Sequence, residues 1–225
     1  MTAFLCLTVQ AQSTIPSVEP SATYINDDGD ETVATSDFAG QAPLSVTFRA
    51  NPQNMDDYDP IYEWHFQKEG EETEMMVRYE EDTEYTFLES GLTVVTLMVR
   101  QENEVVDSAS INVTIYESHL EMPNAFSPND DDINDIYRAK PHGTTGGYKS
   151  LVEFHAYIFN RWGQKLYEWT DIDGGWDGKY NGKPVKDGVY FVLVKAKGAD
   201  GREYNIRRDV NLLRRHNDEV TNSEQ

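Results

Sequence analysis

Thiol chemistry is the first thing this sequence cannot offer. Its one cysteine, Cys6, lies in a short apolar stretch near the amino terminus. A single thiol builds no disulfide framework. Long apolar runs are missing too: no run of 18 such residues exists and the mean hydropathy is −0.65, which excludes a transmembrane helix. The five histidines, His65, His119, His142, His155 and His216, stand at no zinc-ligand spacing. Gly-x-Ser-x-Gly, His-Glu-x-x-His and phosphate-cradling glycine loops are absent. Carboxylates are so numerous that abundance singles out no glycosidase pair. No enzyme is expected.

Basic side chains are scarce in one half only. Residues 12–118 carry 23 acidic and 4 basic side chains, a balance of −19, whereas residues 119–225 carry 17 and 15, a balance of −2. Such asymmetry predicts two modules. The acidic half would repel a phosphate backbone, so nucleic acid is not an expected partner.

What is present is a train of strand signals. Residues 1–11, MTAFLCLTVQA, read as the remnant of a signal peptide ending Val9-Gln10-Ala11. The usual basic start is missing, so the natural start is expected further upstream. Cys6 lacks the preceding small residue of a lipoprotein site, and cleavage after Ala11 would leave no cysteine. Export is expected. Residues 12–43, rich in Ser, Thr, Asp, Pro and Gly and including Asn26-Asp27-Asp28-Gly29-Asp30, read as a linker, 12–33, followed by turns or a ragged first strand.

Residues 34–118 form the first predicted module. Leu44-Ser45-Val46-Thr47-Phe48 alternates apolar and polar. Tyr62, Trp64 and Phe66 share one strand face, with Glu63 and His65 on the other. Thr93–Val99 follows Gly91, Glu102-Asn103-Glu104 turns the chain, and Ile111, Val113 and Ile115 alternate with polar neighbours. This spacing predicts an antiparallel sandwich of about seven strands. Residues 119–215 form the second. LVEFHAYIF, residues 151–159, is a strand with Lys165–Trp169 as its hairpin partner. Asp187-Gly188 opens a strand with Val189, Phe191 and Leu193 on one face and Tyr190, Val192 and Val194 on the other. Apolar residues on both faces predict a strand covered twice, or one that must be protected. Gly198–Gly201 is a hairpin turn, and Asp209–Arg214 the last strand. Residues 216–225 are polar and expected to be disordered. The expected fold class is all-β, two tandem immunoglobulin-like antiparallel β-sandwiches.

Three of the four tryptophans lie between positions 162 and 176. Trp162 sits at a hairpin turn, where an indole is hard to bury, and Trp176 precedes the turn Asp177-Gly178. In one reading Trp169 and Trp176 close the core. In the other, Arg161 and Trp162 protrude as part of a docking surface. Asp130, Asp132 and Asn134, with Asp135 adjacent, set oxygen ligands as at the start of a calcium loop. The sixth position is Asp135 instead of Gly and the twelfth is Pro141 instead of Glu, so this is not an EF-hand; calcium is one reading, water-facing aspartates that bond the loop backbone the other.

The first half resembles a PKD-like domain through Tyr62-Glu63-Trp64-His65-Phe66, Tyr85-Thr86-Phe87, Gly91 and the Thr93–Val99 strand. The usual Trp-x-Phe-Gly-Asp/Asn-Gly segment is here Trp64–Gly70 with a different filling. The second half resembles the type B C-terminal domain of type IX secretion, the gliding motility-associated C-terminal domain. The motifs are PNAFSPNDDDINDIY, FNRWGQKLYEW, WDGKYNGKPVKDGVY and a terminal VNLLR, in the family's order. The resemblance implies an address label: a Bacteroidota protein carried to the type IX outer-membrane translocon, with a PorP/SprF-like outer-membrane partner, and displayed at the cell surface or released. It assigns docking to Asn160, Arg161, Trp162, Gly163, Trp176, Asp177, Gly178, Gly188 and Tyr190. One departure stands out: the family's Pro-Asn-Gly-Asp-Gly is Pro128-Asn129-Asp130-Asp131-Asp132, and aspartate is among the better-tolerated residues where a glycine's φ is positive. The residues after Arg215 are a second departure. Asp107-Ser108-Ala109 resembles the O-glycosylation sequon of exported Bacteroidota proteins, marking Ser108; the plain alternative is a turn. The first module is expected to be an acidic spacer or a binding module, alternatively the working part of a glycan- or protein-binding adhesin, for which Tyr58, Tyr62 and Tyr79 are the candidate platform.

Overall fold

The computed structural model describes residues 15–56 and 58–214, and within them there is no helix. The expected signal-peptide remnant, Cys6 and the 216–225 tail lie outside the described residues.

The first unit contains β1 (Ser17–Val18), β2 (Ser21–Ile25), β3 (Glu31–Ala34), β4 (Phe38–Gly40), β5 (Leu44–Arg49), β6 (Pro52–Gln53), β7 (Ile61–Lys68), β8 (Met76–Arg78), β9 (Asp82–Phe87), β10 (Gly91–Gln101) and β11 (Glu104–Ile115). A four-stranded sheet, β3-β2-β5-β9, faces a five-stranded sheet, β4-β11-β10-β7-β8. Alternation does the sorting. Along β7, Tyr62, Trp64 and Phe66 are buried while Glu63 and His65 are not. Their neighbours on β10 are Val99, Leu97 and Val95, also buried. Phe48 crosses from the other sheet and packs on Trp64, Phe66 and Phe87 at 5.7, 5.7 and 6.4 Å between ring centroids. The Trp64 indole N–H is satisfied by the carbonyls of Glu80 and Glu81, each at 3.1 Å. Burying such aromatics is the main stabilising contribution, about 3–5 kcal/mol for a core Trp or Phe against Ala.

Residues 15–33 are not a linker. They supply β1, β2 and β3; Val18 and Ala22 lie in the core, and Tyr24 stacks on Phe38 at 4.3 Å. The composition misleads because an antiparallel sheet keeps one face polar. Asn26–Asp30 is the tip of the β2–β3 hairpin, where the Asn26 carboxamide accepts the N–H groups of Asp28 and Asp30.

The second unit contains β12 (Ala125–Phe126), β13 (Leu151–Phe159), β14 (Lys165–Trp169), β15 (Lys179–Tyr180), β16 (Lys183–Pro184), β17 (Gly188–Gly198) and β18 (Glu203–Leu212). Its sheet, β12-β18-β17-β13-β14, repeats the order of the first unit's larger sheet: a short parallel edge strand beside the last strand, then the penultimate strand, then an earlier hairpin. The opposing layer differs. It consists of loops carrying the β15–β16 ribbon and two isolated bridges, His119 to Lys149 and Tyr137 to Trp176. The core between the layers holds Phe126, Tyr137, Trp169, Trp176, Tyr190 and Val192, among others.

β17 is central in its sheet but covered on one side only. Tyr190, Val192 and Val194 are buried, whereas Val189 and Phe191 on the outer face are 50% and 45% exposed. The double covering expected from the sequence is absent here, and the outer face stays open.

Candidate functional site

Register brings several half-exposed or exposed apolar residues of the second unit together. Phe159 on β13 pairs with Phe191 on β17, and Tyr157 with Leu193. Phe191 and Leu193 in turn face Asp209 and Arg207 on β18. A groove of about 400 Å³ lined by Phe159, Phe191, Leu193, Arg207 and Asp209 opens on this face. The β13–β14 turn begins one residue beyond Phe159. There the Asn160 carboxamide oxygen accepts the N–H groups of Trp162 and Gln164, both at 3.0 Å. Its amide N–H₂ donates to Gln164 Oε1 at 2.9 Å, and Gln164 donates to the Tyr180 hydroxyl. Gly163 takes a φ of 80°, a conformation natural to glycine. Asn160 and Gly163 thus set the turn. Their effect is to lift Trp162 into solvent, 75% exposed, with the Arg161 guanidinium 4.4 Å from its ring centroid. A rigid indole bearing a cation is the kind of side chain that carries interface energy.

The remaining residues assigned to docking are placed differently. Trp176 is fully buried, packed on Phe126 and Tyr190 at 5.4 and 5.2 Å, and its indole N–H donates to the Lys179 carbonyl at 2.8 Å. A side chain without exposed surface cannot touch a partner, so for Trp176 and Trp169 the core reading holds. Tyr190 is likewise buried, its hydroxyl donating to the Lys186 carbonyl. Asp177 accepts the Lys179 N–H and pairs with the Lys179 ammonium. Gly178 is buried with φ of 74°, and a methyl group there would lie about 3 Å from Arg214, Pro128 and Leu212. Gly188, with φ of 147°, starts β17.

Arg214, not singled out in advance, ties these loops to the end of the chain's last strand. Its guanidinium donates to the carbonyls of Val185 and Gly178 and to the Asp187 carboxylate, and Asp187 also accepts the Arg214 backbone N–H. One cation satisfying several acceptors from separate loops is a staple.

The acidic loop closes on itself. Asp135 accepts backbone N–H groups from Asn129, Asp130 and Asp132 at 2.8–2.9 Å. Partial desolvation works against its charge, but these donors prevail and hold the Asp135 carboxyl below its usual range. Asp130 and Asp132, standing where the family has glycine, both have positive φ, 63° and 65°. Among the described residues no group of three His, Cys, Asp or Glu side chains is placed to hold a metal ion. The calcium reading of Asp130, Asp132, Asn134 and Asp135 therefore gains nothing from the geometry.

In the first unit Tyr62 is core, while Tyr58 and Tyr79 are 37% and 67% exposed; the three form no platform. Ser108 is exposed within β11, paired with Met98, so Asp107-Ser108-Ala109 is strand and not turn. The hairpin turn falls earlier, with Glu102 at φ of 53°. His65 lies between Glu74 and Glu63 at 2.9 and 3.4 Å. A cleft of about 840 Å³ lies between the units and is lined by side chains of both signs, including the paired Lys68 and Glu89.

Residues 120–206 match the CHU_C type IX secretion signal domain. The second sandwich belongs to that family. The protein is therefore a secreted one that engages the type IX secretion system and is exported to the cell surface or extracellular space. No curated protein matches the chain. Among solved structures it is similar to a tetra-tandem repeat from the extending region of a large adhesion protein, at 11% identity, TM-score 0.28, covering 88% of this chain and 67% of that one. It is also similar to the FN1–FN3 domains of chicken CNTN1, at 12% identity, TM-score 0.32, covering 83% and 70%. Dimeric latent PorU from Porphyromonas gingivalis matches at 12% identity, TM-score 0.27, covering 89% and 20%. These likenesses are too distant to carry an argument.

Proposed function

We propose that the chain is a surface-displayed Bacteroidota protein whose type IX signal sandwich docks through the Arg161–Trp162 turn and the adjoining Phe159–Phe191 face. The docking partners are the outer-membrane translocon and a PorP/SprF-like outer-membrane protein. The observation that carries this is Trp162: a 75% exposed indole, held out by a hydrogen-bonded turn, within a matched signal domain. The acidic first sandwich, read as PKD-like, is what is displayed, as a spacer or binding module. No catalytic group is assigned to it. A glycan- or protein-binding adhesin role would rest on Tyr79 and Tyr58 alone.

The test uses the full chain with an epitope in the exposed 102–103 turn, in a type IX-competent host and a translocon-deficient strain. External protease sensitivity of the epitope is scored for the unaltered chain and for Trp162→Ala. Translocon-dependent exposure that W162A reduces supports the docking turn. Exposure that W162A leaves intact removes the turn from the mechanism, and exposure in neither strain removes the display reading.

A further inference from the structure

The two sandwiches share more than a connecting chain. The β17–β18 turn, residues 198–202, leaves its own sandwich and enters the open end of the first. Ala199 is buried there, in one apolar cluster with Leu44, Phe87 and Ile115. Its backbone is satisfied from both sides: its carbonyl accepts the Ser90 N–H of the first unit at 3.1 Å, and its N–H donates to the Ser150 carbonyl of the second at 2.9 Å. Ser150, itself buried, accepts the Ala42 N–H of the first unit on Oγ at 3.2 Å. Asp200 accepts both the N–H and the hydroxyl of Ser118 in the connecting segment, at 3.2 and 2.7 Å. The turn also packs on the connecting segment, where a methyl group on Gly198 would lie 2.0 Å from Ser118 Oγ. Domains that tumble on a tether meet through loose, wet surfaces. Here backbone and side-chain groups of the two units are paired directly across the junction, beside a shared apolar cluster.

We infer that the first sandwich is a seat for the signal sandwich: its open end grips the β17–β18 turn around Ala199, so that the two units form one rigid body. The first unit then has a role of its own, independent of any ligand. It fixes the direction in which the signal sheet and the Trp162 turn point. This inference does not depend on which surface docks to the export machinery.

The experiment is residual dipolar coupling of the isotope-labelled full chain, with amides of β5 and β10 compared against those of β13 and β17. One alignment tensor is expected to fit both units. Ala199→Glu forces a carboxylate into the first unit's core; two tensors are then expected, with Ser90 amide exchange faster by about tenfold. If A199E fails to fold, Asp200→Ala serves, since it keeps apolar burial at Ala199 while removing the acceptor of Ser118 and of the Arg202 N–H within the turn; Ser118 and Ser90 exchange should rise several-fold while Leu193 is unchanged. A single tensor in the unaltered chain with loosening in either variant supports the seat. Two tensors in the unaltered chain, or no loosening in either variant, overturn it.

Discussion

Trp162 and Trp176 carry the same side chain, and the structure assigns them opposite consequences. Trp176 is fully buried against Phe126 and Tyr190 and donates to the Lys179 carbonyl. Truncation to alanine removes a core aromatic, about 3–5 kcal/mol, and leaves a carbonyl unpaired, about 1 kcal/mol more. The sum of about 4–6 kcal/mol is comparable with the whole stability of an ordinary domain, about 5–15 kcal/mol. W176A should therefore be largely unfolded at 37 °C, and Trp176→Phe, which keeps most of the ring but not the donor, should lose about 1–2 kcal/mol. Trp162 is mostly in water and touches chiefly the Arg161 guanidinium, a contact of about 0.5–1 kcal/mol at an exposed site. W162A should cost no more than that. Urea unfolding followed by far-ultraviolet circular dichroism gives both numbers. A loss above about 2 kcal/mol in W162A would show that the turn is structural, and the docking proposal would then lose its premise. A loss below about 1 kcal/mol in W176A would refute the packing argument.

Three further outcomes are expected. Gly178→Ala places a methyl group about 3 Å from Arg214 and Pro128 at a φ of 74°; it should destabilise by more than about 1 kcal/mol in the same urea assay. Asp135 has its carboxyl held below the usual range, so its stabilising effect is full above the unfolded value of about 3.9 and vanishes as pH falls through the lower folded value; melting curves between pH 5 and pH 2 should show D135N losing less on acidification than the unaltered chain, and equal losses would remove Asp135 from the loop's closure. Because the loop closes through its own backbone, Asp130→Ala with Asp132→Ala should melt at the same temperature in calcium as in chelator; a calcium-dependent rise in the unaltered chain that the pair abolishes would restore the metal reading.

Alternation exposed the cores early, because burial in a sheet follows a period of two that residue type reports directly. Tyr62, Trp64 and Phe66 fell on the buried face for that reason. The strain at Asp130 and Asp132 was legible from the glycines that the family carries there. Other features were hidden. β2 and β3 look like linker because their outer face is polar and their inner residues, such as Ala22, are small. Asp107–Ala109 reads as a turn in composition, yet the preceding hairpin fixes it within β11. Whether the outer face of β17 is covered depends on what packs above it, and local sequence says nothing of that. Arg214 is the same kind of case: its partners come from positions 178, 185 and 187, and only the fold gathers them.

The difference between the two units explains why most motif residues here serve the fold. Both build the same five-stranded order, but the first opposes it with a four-stranded sheet and the second with loops. A sheet satisfies its own backbone, whereas a loop layer must find partners residue by residue. Trp176, Asp177, Gly178, Asp135, Tyr190 and Arg214 are those partners: each pins a loop through a named carbonyl, N–H or packed ring. Motif residues that answer this need are accounted for by stability. Trp162 answers no such need, since removing its side chain would strand no donor and open no cavity. An indole kept in water by a built turn is therefore the premise of the docking proposal, which stands or falls with the W162A measurements.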